Sequence, residues 1–73
     1  MEQGIGHKIK LIRQARKVSQ LDLAKRIGID NSRLSLIENG HVEPSAEQLA
    51  AIKATLRWPE NAAEAFAILE GTE

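Results

Sequence analysis

The 73-residue chain contains no cysteine. Neither disulfides nor thiolate metal sites can hold it together, so stability has to come from packing, and the composition fits a reducing compartment. No apolar run approaches the roughly 18 residues that a membrane span needs, and residues 1–6 show no basic-then-apolar leader pattern. A soluble, cytoplasmic protein without membrane association is expected. Catalytic patterns are missing too: there is no Ser-His-Asp set and no carboxylate pair at a workable spacing, and Gly4 and Gly6 are too few for a phosphate loop. His7 and His41 stand alone, without a second ligand at metal spacing. Neither an enzyme, a metal site nor a cofactor is expected.

Net charge is absent as well, with ten Lys and Arg against ten Asp and Glu. A phosphate-binding protein ordinarily shows a basic excess, and here one appears only when the chain is divided. Residues 1–40 hold eight Lys and Arg against four Asp and Glu, a net +4, while residues 41–73 hold two against six, a net −4. The chain is an electrostatic dipole with its positive half first.

What is present is helical periodicity, without strand-type alternation. A chain of this length has room for a single domain, 1–73, and buries only about 60% of its unfolded surface. Ile5, Ile9, Ile12 and Ala15 recur at helical spacing with basic residues between them, predicting an amphipathic first helix from Ile5 to about Arg16. Ser19 is placed to cap a second helix, with Asp22 three residues on reaching back to it and Leu23, Ala24 and Ile27 turned inward. Gly28 stops that helix, and Ile29 fills the turn. Asp30 is a suitable N-cap for a third helix over Asn31–Glu38, which sends in only Leu34 and Ile37 and ends at Gly40. Ser45, with Gln48 at the capping-box position, opens a fourth helix whose Ala46, Leu49, Ile52 and Leu56 point inward. The Trp58-Pro59 step interrupts the pattern. A fifth helix from Pro59 or Asn61 to about Glu70 then lines up Ala62, Phe66 and Leu69, with Trp58 packed over it. The expected fold is a five-helix, all-α domain in which 19–40 is a helix-turn-helix.

The stretch SQLDLAKRIGIDNSRLSLIENG resembles the helix-turn-helix of the lambda repressor and Cro-type family. The matching residues are Gln20, Leu23-Ala24, Ile27-Gly28-Ile29, Ile37-Glu38-Asn39-Gly40 and, further on, Pro44-Ser45, and the likeness covers about residues 5 to 58. The resemblance implies a regulator whose third helix enters the major groove of double-stranded DNA while the second braces across the backbone. It places Asn31, Ser32, Ser35 and Leu36 toward base edges and Gln20, Arg33 and Asn39 on phosphates, with Lys10 and Lys17 as further phosphate candidates. It also implies a partly buried ion pair, Arg13 with Glu38, tying the first helix to the third. Two residues depart from the pattern. Leu36 stands where relatives often have Arg or Gln and offers no hydrogen bond to a base, and Lys17 stands where relatives often have Gly.

Two functions follow. The first is a small sequence-specific repressor binding a palindromic operator as a homodimer, with no small-molecule effector and with Phe66, Ile68 and Leu69 as candidate dimer contacts. The second is a protein-interaction module or antitoxin-like partner on the same scaffold, presenting Leu36 to another protein.

Overall fold

A computed structural model describes residues 4–61, 63–65 and 67. Four helices follow in order: α1 (Ile5–Ala15), α2 (Gln20–Ile27), α3 (Asn31–Glu38) and α4 (Ala46–Leu56). Residues 63–65 and 67 belong to a fifth helix, introduced by Asn61, whose Oδ1 accepts from the Glu64 N–H at 2.8 Å. No strand occurs among the described residues, so the expected five-helix, all-α architecture is the one found.

Each of α1 to α4 contributes two side chains to one core: Ile9 and Ile12, Leu23 and Ala24, Leu34 and Ile37, Ile52 and Leu56. Ile5, Val18, Ile27, Ile29, Val42, Leu49 and Trp58 pack around them, half-buried. Burying a large aliphatic side chain is worth about 1.5–3 kcal/mol, so even α3, polar over most of its surface, is held firmly by Leu34 and Ile37. α1 approaches α3 closely at Gly6. A Cβ on that residue would collide with the Ile37 carbonyl oxygen and meet the Glu38 carbonyl oxygen at 3.0 Å.

α1 to α4 all close with the same hydrogen-bond pair. Lys17, Gly28, Gly40 and Arg57 follow the helix ends with φ of 61°, 77°, 82° and 51°. Each returns its N–H to the carbonyl three residues back, and the next residue, Val18, Ile29, His41 or Trp58, returns its own to the carbonyl five back. This is the Schellman closure. Glycine adopts the left-handed conformation at no steric cost, whereas Lys17 and Arg57 adopt it against a penalty of about 1–2 kcal/mol. A cation at a helix C-terminus offsets part of that through the helix dipole.

Three local expectations are corrected. The Asp22 carboxylate does not return to the cap of α2; Ser19 Oγ accepts from the Asp22 N–H at 3.0 Å, but the Asp22 side chain pairs with Arg26 at 3.2 Å. Aspartate is one methylene shorter than the Glu or Gln that completes a capping box. Asp30 occupies the N-cap of α3 without a side-chain hydrogen bond to it. Ala46 is exposed rather than inward, because it is the first residue of α4, on the open surface of Ser45 to Glu47. The Ser45 and Gln48 capping box is complete, with both bonds at 3.0 Å. Phe66, Ile68 and Leu69 lie outside the described residues.

Candidate nucleic-acid interface

The interface is built on the junction of α1, α2 and α3. Arg13 of α1 and Glu38 of α3 are 8% and 5% exposed. Their ion pair is bidentate, with Arg13 Nε 2.7 Å from Glu38 Oε2 and Arg13 Nη2 3.1 Å from Glu38 Oε1. Arg13 Nη1 donates to the Val18 carbonyl at 2.9 Å, fixing the loop before α2. Gln20, the first residue of α2, donates through Nε2 to Glu38 Oε1 at 3.1 Å. One carboxylate thus ties three helices together. No buried side-chain nitrogen or oxygen lacks a partner among the described residues. That completeness matters, because an unpaired charge at this depth costs about 3–5 kcal/mol.

The junction sets the rotation of α3. With Leu34, Ile37 and Glu38 turned inward, helical periodicity sends Ser32, Leu36 and Asn39 outward, all exposed, and leaves Ser35 half-buried at the margin, while Asn31, above Glu38 on the inward side, is exposed as the first residue of the helix. Asn39 Nδ2 donates to Ser35 Oγ at 3.4 Å. Arg33 is exposed on the flank of the same helix, and the first turn of α3 contains no acidic residue. Lys10, in the middle of α1, and Lys17, beyond its end, are exposed as well. The surface therefore has a stripe of amides and hydroxyls with one leucine, and the cations lie outside the stripe.

Gln20 is the residue whose surroundings sequence reading did not anticipate. Its amide is partly occupied by Glu38, which leaves the second Nε2 hydrogen and the backbone N–H groups of the first turn of α2 for an anion. Arg16 was equally hidden. It clamps the end of α4, Nε donating to the Leu56 carbonyl at 2.9 Å and Nη2 to the Arg57 carbonyl at 2.6 Å. These are carbonyls that a helix end leaves without intrahelical partners. No periodicity signals such a bond between residues 40 apart in the chain. A signal did exist for Gly6: it is a glycine inside an amphipathic helix, where no turn requires one.

Two short helices joined by a glycine Schellman turn, the second presenting a polar stripe from a hydrophobic seat, define a helix-turn-helix domain. A helix-turn-helix family model matches residues 9–57, from the first core residue of α1 to the left-handed residue after α4. The chain belongs to this lambda repressor/Cro-type helix-turn-helix family and is, in general terms, a DNA-binding transcriptional regulator. No curated protein and no solved structure gives a significant match.

Proposed function

We propose that the protein is a small repressor that binds a palindromic operator as a homodimer, with α3 in the major groove of each half-site. The observation that carries this reading is the outward stripe of α3, uncharged at its centre and fixed in rotation by the Arg13, Glu38 and Gln20 junction. Asn31, Ser32, Ser35 and Leu36 face base edges, and Asn31 has the amide geometry that suits adenine. Gln20, Arg33, Asn39, Lys10 and Lys17 hold phosphates on either side, which fixes register without reading sequence. One module of this size makes a small contact, and a two-fold dimer doubles it with half-sites about 34–36 Å apart. Leu36, 41% exposed, favours a second reading in which α3 presents an apolar side chain to another protein.

Selection of bound sequences from a random DNA pool, followed by a salt titration on the enriched site, separates the two. The repressor reading expects an enriched palindrome and a linear fall of log affinity with log salt, with a slope of about −0.9 for each phosphate neutralised. Absence of DNA binding at ~50 mM salt, where phosphate contacts are strong, would overturn it in favour of the protein-interaction module.

A further inference from the structure

We propose that Leu36 recognises the 5-methyl group of a thymine, so that each half-site carries one thymine chosen by apolar contact rather than by hydrogen bonding. This inference rests on the groove-docking reading above and specifies what that site selects. On a helix turning 100° per residue, Leu36 lies about 40° from Ser32 and about 60° from Asn39, within the outward stripe and far from the Leu34 and Ile37 side. It is the one apolar side chain of that stripe, and it is 41% exposed. Folding has no other place for it. Leu34 and Ile37 already occupy the seat of α3 in the core at 0% and 1% exposure. The Leu36 backbone is also fixed, because its carbonyl accepts the His41 N–H at 2.9 Å in the closure of the helix.

The major groove offers four base edges, of which only thymine carries a methyl group. A leucine pressed against guanine, adenine or cytosine strips water from donors and acceptors and returns no hydrogen bond. Against thymine it covers a methyl instead, so the same side chain both favours one base and penalises the others.

The test uses the full chain and its selected operator, replacing each thymine in turn by deoxyuridine, which removes the methyl and nothing else. One position in each half-site should weaken binding about three- to fivefold, the worth of one buried methyl group, and the other thymines should be silent. Leu36→Ala, a change at an exposed residue, should keep the unfolding midpoint and bind the thymine and deoxyuridine operators equally. Placing 5-methylcytosine at the sensitive position should recover part of the affinity lost with cytosine. If every deoxyuridine is silent in the unmodified protein, or if the sensitive position stays sensitive in Leu36→Ala, the assignment of Leu36 is wrong while DNA binding stands. Failure to enrich any operator would instead remove the groove-docking reading and this inference with it.

Discussion

Lys17 and Arg57 hold left-handed backbone conformations that the other two helix ends assign to glycine, and comparing them separates structural strain from DNA contact. Lys17→Gly relieves the clash of Cβ with the backbone and gives up some unfolded-state restriction, for a net gain of about 0.5–1 kcal/mol in a denaturant titration. Arg57→Gly should gain a similar amount, since Arg16 holds the Arg57 carbonyl and not its side chain. The two variants should part company on DNA. Lys17→Gly lowers affinity and reduces the magnitude of the salt slope by about 0.9, one phosphate contact, whereas Arg57→Gly leaves the slope unchanged. Equal slopes for the two would show that Lys17 touches no phosphate. Strain of this kind was only half legible in the sequence. That Lys17 replaces the family's usual glycine could be noticed, but its φ follows from the chain having to turn from α1 toward α2, which no residue type at 17 announces.

Among the elements, the last turn of α3 is held by α1 at two points: the Arg13 and Glu38 pair, and the bare Gly6 backbone against the Ile37 and Glu38 carbonyls. Helix propensity alone predicts that Gly6→Ala stabilises α1 by about 1 kcal/mol. The structure predicts the opposite sign. The new methyl meets backbone carbonyl oxygens of α3, which cannot rotate away as a side chain can, so α1 must lift off and the variant should lose about 1–3 kcal/mol. A stabilised Gly6→Ala protein would mean that the two helices are not this close. Helix number, helix order and the glycine stops at Gly28 and Gly40 were readable because apolar period and turn chemistry are local. The three-helix junction was not, since Glu38 is 25 residues from Arg13 and 18 from Gln20. The Arg13 pairing came from family resemblance, and the Gln20 bond needed the fold itself.

For the whole molecule, the net +4 of residues 1–40 and the net −4 of residues 41–73 make the first half of the chain the one suited to phosphate and the second half the one repelled by it. Arg16 joins the two halves by binding the carbonyls at the end of α4. The described contacts that hold the domain are an aliphatic core, helix-end hydrogen bonds and an ion pair buried away from solvent ions. Mobile salt screens exposed charges over a Debye length but hardly reaches such a pair. Raising ionic strength from about 50 to about 500 mM should therefore change the unfolding free energy by less than about 1 kcal/mol while DNA affinity falls by orders of magnitude. A matching loss of fold and affinity would place the stabilising charges at the surface instead. The sheltered Arg13 and Glu38 pair thus makes release reversible: protein eluted from a DNA column by salt alone should come off folded and rebind at full capacity after dilution, cycle after cycle.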